Sequence, residues 1–142
     1  LGRLALAALP EWVATRRHHA ATLNVALADV PGLRLTLPPP EVHHSYYKYY
    51  CFVQPERLRP GWDRDRIMAA VTAEGIPCYS GSCSEIYLEK AFPPEWRPAQ
   101  PLPVARELGA TSLMLLVHPT LTAADIADTA EALRKVMAVA AE

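Results

Sequence analysis

Cysteine is scarce in this chain: Cys51, Cys78 and Cys83 make an odd set of three, which no closed framework of disulfides can use up. With no secretory leader pattern, a reducing, cytoplasmic compartment is expected. Long apolar runs are also missing; the longest fall well short of the roughly 20 residues that span a bilayer, so a membrane is not expected as a partner. Neither sign of charge is in excess, with 14 Lys plus Arg against 15 Asp plus Glu. No global field therefore exists to collect nucleic acid. There is no glycine-rich phosphate loop. Cys78 and Cys83 have no second pair at matching spacing, and His43 and His44 would face opposite sides of a strand, so a metal site is not expected.

What the chain has is core-building pattern. At 142 residues with 51% apolar content, it suits one domain that buries about two-thirds of its unfolded surface. The spacing of Leu9, Trp12, Val13, Leu23 and Leu27 predicts a short helical lead-in and then a helix from about Pro10 to Ala28. Arg16, Arg17, His18 and His19 point round that whole cylinder, which reads as a solvated face. Leu33 to Leu37 alternates as a short strand, and His43 to Val53, dense in tyrosine, predicts a central strand. Alternation puts Tyr47, Tyr49, Cys51 and Val53 on one side and Tyr46, Lys48, Tyr50 and Phe52 on the other. Asp63 or Asp65 can cap a helix that ends before Gly75. Weaker helical signals cover Glu85 to Ala91 and Pro103 to Leu108, and Ser112 to Val117 reads as a strand buried on both faces. Thr122 with Asp125 forms a capping box for a last helix whose apolar face is Ile126, Ala130, Leu133, Met137 and Ala140. The fold class is therefore α+β, a small two-layer sandwich with a short mixed or antiparallel sheet and helices mainly on one face.

The stretch from Gly75 to Phe92 stands apart as a long irregular segment crowded with hydroxyls, thiols and aromatics. Tyr79, Ser80 and Ser82 offer donors for a polar or phosphorylated small molecule, and Gly81 lets backbone approach closely. A merely structural turn is the competing reading. Lys48, flanked by aromatics, is either a snorkelling lysine at the sheet margin or a cation aimed at an anionic ligand. No histidine can be assigned to activate a thiol, so the cysteines read as buried or half-buried and inert.

Four passages resemble one family in order and spacing. These are RRHHAATLNVALADVPGL, HSYYKYYCFV, DRDRIMAAVTAEGIPCYSGS and ATSLMLLVHPTLTAADIADTAEAL. Together they resemble the C-terminal small domain of the DegT-type sugar aminotransferases, within the aspartate-aminotransferase-like superfamily. The resemblance implies a linking helix over 1–30, leading from an N-terminal large domain, and a small domain over 31–142. It implies a homodimeric enzyme that uses pyridoxal phosphate to move an amino group, usually from glutamate, to a keto group of a nucleotide-linked sugar in cell-surface polysaccharide biosynthesis. The large domain would carry the cofactor lysine; Lys48, Lys90 and Lys135 are the lysines here, none in a matching context, so this segment alone is expected to be inactive. Tyr47, Lys48, Tyr79, Ser80 and Ser82 would belong to the substrate side of a composite pocket, with Lys48 standing where the family's strand often has histidine. Two rival readings are a stand-alone small-molecule-binding or regulatory module and an interaction domain that docks a partner through exposed aromatics.

Overall fold

The structure, a computed structural model, describes residues 2–142. The elements in chain order are α1 (Gly2–Leu27), β1 (Leu33–Leu35), β2 (Tyr49–Val53), α2 (Arg64–Ala73), β3 (Cys78–Tyr79), α3 (Pro103–Thr111), β4 (Ser112–Leu115) and α4 (Ala123–Ala140), with short 3-10 turns between. The four strands form one antiparallel sheet in the order β1-β2-β4-β3. The α+β class expected from the pattern is the one observed, and the sheet is antiparallel rather than mixed.

The inner face of the sheet carries the core. Cys51 opposes Leu113 and Tyr49 opposes Leu115 in register, and all four are buried against Leu23 and Leu27 of α1, Ile67 and Val71 of α2, and Ile126, Leu133 and Met137 of α4. Each such aliphatic side chain contributes roughly 1.5–3 kcal/mol on burial. Tyr49 brings a polar end into this layer, and its hydroxyl donates to Asn24 Oδ1 at 2.8 Å, so the phenol is satisfied where water cannot reach it. The α4 capping box forms as expected, with Thr122 Oγ1 accepting from Asp125 N–H and the Asp125 carboxylate accepting from Thr122 N–H. Asp63 caps α2 by accepting from Arg66 N–H at 2.7 Å.

The strands expected to reach Leu37 and Val117 stop at Leu35 and Leu115, and the weak helical signal over Glu85 to Ala91 amounts to a single 3-10 turn, Ile86–Leu88; four differences from the expected elements are larger. α1 runs unbroken through Pro10. This stretch of the helix is exposed nearly throughout, so water can take the carbonyl that Pro10 leaves unbonded. β2 begins at Tyr49, not His43, because side chains occupy the backbone groups just before it: Arg17 donates to the His44 carbonyl at 2.9 Å and Tyr46 N–H donates to His44 Nδ1 at 3.1 Å. Tyr46 then sits at φ 45°, a left-handed turn that ends any pleat. Consequently Tyr47 points outward at 73% exposure instead of joining the core face, while Tyr46 is buried and stacks on Tyr49 at 6.4 Å. α3 continues past Gly109 to Thr111, for Gly109 serves as a place of close approach: a Cβ there would lie 2.1 Å from Ser84 Oγ. The fourth difference is that the segment from Gly75 is not loop from its start, since Cys78–Tyr79 pairs with β4 as an edge strand.

Candidate functional site

The outer face of the sheet, opposite the core, gathers most of the residues singled out above. Register places Tyr50 against Met114 and Met114 against Tyr79, so Tyr50 and Tyr79 share this face two strands apart, roughly 10 Å at ordinary strand spacing. Arg34 opposes Phe52, which opposes Ser112, in the neighbouring row. α3 covers part of this face through Leu108.

Two adjoining clefts open here. One, of about 380 Å³, is lined by Arg34, Thr36, Pro38, His44, Tyr46, Lys48, Tyr50, Phe52 and Leu108. Its walls are aromatic and its charges are all of one sign, without a carboxylate. Arg34 lies over Phe52, its guanidinium carbon 4.4 Å from the ring centre. Among the described residues neither Arg34 nor Lys48 is ion-paired; the three ion pairs, Arg64–Asp65, Arg134–Asp29 and Lys135–Glu74, lie elsewhere. The second cleft, of about 310 Å³, is lined by Arg64, Gly109 and the turn that carries Ser80, Gly81, Ser82, Cys83, Ser84 and Glu85, together with Leu88 and Glu89.

One side chain joins the two clefts. The Tyr50 hydroxyl accepts from Ser82 N–H at 3.1 Å and lies 3.4 Å from Ser82 Oγ. Gly81 sits at φ +91° directly against the same ring, so close that a Cβ would meet Tyr50 Cε1 at 2.4 Å. Ser112 Oγ donates to the Ser80 carbonyl at 2.6 Å, and Arg64 Nη1 donates to the carbonyls of Gly109 and Ser112 at 3.1 and 3.0 Å. The turn is thus held from below by β2 and β4, while Arg64 of α2 braces Gly109 and Ser112 beside it. Of the expected site residues, Lys48 lies in the first cleft, Ser80 and Ser82 in the second, and Tyr79 on the same face at 49% exposure. Tyr47 lies outside both clefts, where its ring is approached by Arg16 at 5.6 Å and by Lys48 Nζ at 5.9 Å. The RRHH passage is not a plain solvated face either: His19 is buried and Arg17 is bonded to the His44 carbonyl.

Sequence reasoning missed Tyr50, Arg34, Arg64 and Ser112. Strand alternation signals Tyr50, two residues past Lys48 on the same side, whereas the pairing that brings Arg34 beside Phe52 is a long-range fact that no local pattern carries.

The thiols are not nucleophiles in waiting. Burial pushes Cys51 up to about 12 and Cys78 up to about 11. Cys83 is exposed rather than half-buried, and its Sγ donates to Glu89 Oε1 at 3.0 Å. That hydrogen bond to a carboxylate raises its pKa and keeps it protonated.

The described residues do not fit the anchor of a pyridoxal phosphate cofactor. Such a group needs an enclosed amine free to bond to its aldehyde. Lys135 is 64% exposed and ion-paired with Glu74 at 2.6 Å, Lys90 is exposed, and Lys48 stands in an open cleft.

Residues 1–134 match the family model of the DegT/DnrJ/EryC1/StrS aminotransferases. The chain is 29% identical over 141 residues to a dTDP-4-dehydro-2,3,6-trideoxy-D-glucose 4-aminotransferase of Saccharopolyspora spinosa, a match that covers 95% of the chain and 32% of that protein. Among solved structures, an aminotransferase from Psychrobacter cryohalolentis is 44% identical with a TM-score of 0.90, covering 96% of this chain and 37% of that one. The aminotransferase TlmJ from Streptoalloteichus hindustanus is 26% identical with a TM-score of 0.81, covering 96% of this chain and 35% of that one. The chain therefore spans about a third of the length of these relatives.

Proposed function

The chain belongs to the DegT/DnrJ/EryC1/StrS aminotransferase family, and from that premise we propose that it forms the substrate-side wall of an enzyme that aminates a keto group on a nucleotide-linked sugar. The observation that carries this is the outer sheet face, where a cationic, aromatic cleft at Lys48 and the hydroxyl-bearing turn at Ser80 to Ser82 are joined through Tyr50. A sugar nucleotide offers both an anionic part and a hydroxylated part, which are the two chemistries these neighbouring clefts present.

In this reading pyridoxal phosphate is the cofactor, held by a large domain that also supplies its lysine; when bound it supplies an electron sink for moving the amino group. This chain's own residues bind and orient. Lys48 meets negative charge, the turn donors of Ser80, Ser82 and Tyr79 meet sugar hydroxyls, and Tyr47, on the outer surface beside Lys48, contributes at the rim. Glutamate is the amino donor, the enzyme works as a homodimer in the cytoplasm, and its product feeds cell-surface polysaccharide synthesis. The test is amino transfer by an enzyme that contains this chain, given glutamate and a dTDP-linked keto sugar and followed by formation of 2-oxoglutarate. Turnover that depends on added pyridoxal phosphate supports the reading. A protein that binds sugar nucleotides without ever consuming glutamate would instead be a stand-alone binding module.

A further inference from the structure

We propose that Arg64 is a positioning residue for the sugar substrate: from the start of α2 it fixes the two residues, Gly109 and Ser112, on which the turn at 80–84 is seated. The inference rests on the sugar-aminotransferase reading above and names the side chain that sets where the hydroxyl-bearing wall of that pocket stands.

Burial makes the bonds of this side chain informative. Arg64 is only 15% exposed, and a guanidinium taken out of water is costly unless its N–H groups find acceptors. Nε donates to Asp65 Oδ1 at 2.6 Å, and Nη1 donates to the carbonyls of Gly109 and Ser112 at 3.1 and 3.0 Å. Because α3 ends at Thr111, the Gly109 carbonyl is among those left without a partner inside the helix, and a cation there also meets the negative end of the helix dipole. Capping α3 needs only that one bond. The second goes to Ser112, the first residue of β4, so a single nitrogen ties the end of the helix to the start of the strand.

The same two residues meet the turn on their other side. Ser112 Oγ donates to the Ser80 carbonyl at 2.6 Å, and Gly109 lies so near Ser84 that a Cβ would collide with its hydroxyl. Arg64 also borders the second cleft, yet its Nε and Nη1 donors are spent on protein acceptors. A shift of the end of α3 against β4 therefore carries Ser80 and Ser84 with it, and Ser82 between them, whose N–H rests on Tyr50. Misplacement by about 1 Å is enough to lose a well-made contact to a bound substrate.

The experiment compares the whole enzyme with its Arg64→Met and Ser112→Ala variants in steady-state kinetics. Arg64→Met keeps the apolar stem and removes every donor. Its KM for a dTDP-linked keto sugar should rise roughly tenfold, with kcat and the KM for glutamate within about threefold of the unaltered enzyme. Ser112→Ala cuts only the link to Ser80 and should raise the same KM roughly threefold or more. The double variant should fall short of the product of the two single effects, because one path is then broken twice. An unmoved sugar KM in Arg64→Met, or an equal loss in the glutamate KM or in kcat, overturns the proposal. Effects that simply multiply also overturn it, since Arg64 would then act without Ser112. If Arg64→Met does not melt cooperatively, Ser112→Ala decides: a raised sugar KM upholds the seat and an unmoved one overturns it. The two levels fail separately. Normal amino transfer with a sugar KM that ignores these substitutions sinks the positioning role alone. An enzyme that never transfers an amino group sinks the reaction, and hydrogen exchange at the Ser82 amide then tests the brace: exchange roughly tenfold faster in Arg64→Met, or in Ser112→Ala, upholds it and unchanged exchange overturns it.

Discussion

Replacing Gly81 by alanine probes the contact on which the joined clefts depend. The new Cβ would stand 2.4 Å from Tyr50 Cε1 and 2.8 Å from its hydroxyl oxygen, on a backbone at φ +91°. The left-handed conformation alone costs an L-residue about 1–2 kcal/mol. Forcing a methyl group into a filled contact adds about 1–3 kcal/mol. The turn is exposed, so it can escape the second cost by lifting off β2, which forfeits the hydrogen bond from Ser82 N–H to Tyr50, worth about 1 kcal/mol. The first route costs about 2–5 kcal/mol and the second about 2–3 kcal/mol, so the variant loses about 2–3 kcal/mol, most of it locally. Urea unfolding measures the global part and hydrogen exchange at the Ser82 amide measures the local part. Tyr50→Ala in the same background removes the clash but not the backbone strain, so the double variant should be less destabilised than the two single effects added. If Gly81→Ala leaves Ser82 exchange unchanged, or if the two substitutions simply add, the ring does not hold the turn and the reasoning fails.

Other consequences are simpler to check. Tyr49→Phe leaves Asn24 Oδ1 without its donor and should cost about 1–2 kcal/mol in chemical unfolding. In the native chain Cys83, though its carboxylate partner slows it relative to a free thiol, should react with a disulfide reagent faster than Cys51 and Cys78, which wait for denaturant; three equal native rates would contradict the burial described. Because burial raises Cys51 from an ordinary 9.0 to about 12, the protection it lends is full below pH 9 and is lost as pH climbs toward 12. Cys51→Val should therefore flatten the alkaline fall in stability. Thr122→Ala removes the α4 cap and should cost about 1 kcal/mol at neutral pH. Hydrogen bonds from the Thr122 backbone N–H and, second, from its hydroxyl hold the Asp125 carboxyl below its usual 3.8, a contribution present above pH 4 that fades under acid; the variant keeps the backbone bond and loses the hydroxyl's share, so its stability curve should be only slightly the flatter there.

The helices and the buried strands were legible because their signals are local. The α4 box reads directly from Thr122 and Asp125, the α2 cap from Asp63, and the inner face of β2 from the alternation of Tyr49, Cys51 and Val53. Tyrosine richness overreached at His43 to Lys48, since no β-propensity anticipates Arg17 reaching from another element to the His44 carbonyl. Gly109 looked like a helix stop, because a glycine needed for contact and one needed for a turn are the same letter. The hydroxyl-bearing turn was visible by composition, and the family by the order of four passages. The partnership of that turn with Tyr50, and of Arg34 with Lys48's cleft, depends on which strands become neighbours, and that order emerges only when the core closes.

The central proposal is that this chain supplies the sugar-nucleotide side of the substrate pocket. The direct measurement is steady-state kinetics of the whole enzyme carrying Lys48→Ala, with KM determined separately for the two substrates. The account predicts a KM for the sugar nucleotide raised roughly tenfold or more, as loss of a charge-assisted contact should give, with the KM for glutamate within about twofold of the unaltered enzyme. A glutamate KM that rises while the sugar-nucleotide KM holds, or two constants that do not move, would contradict it.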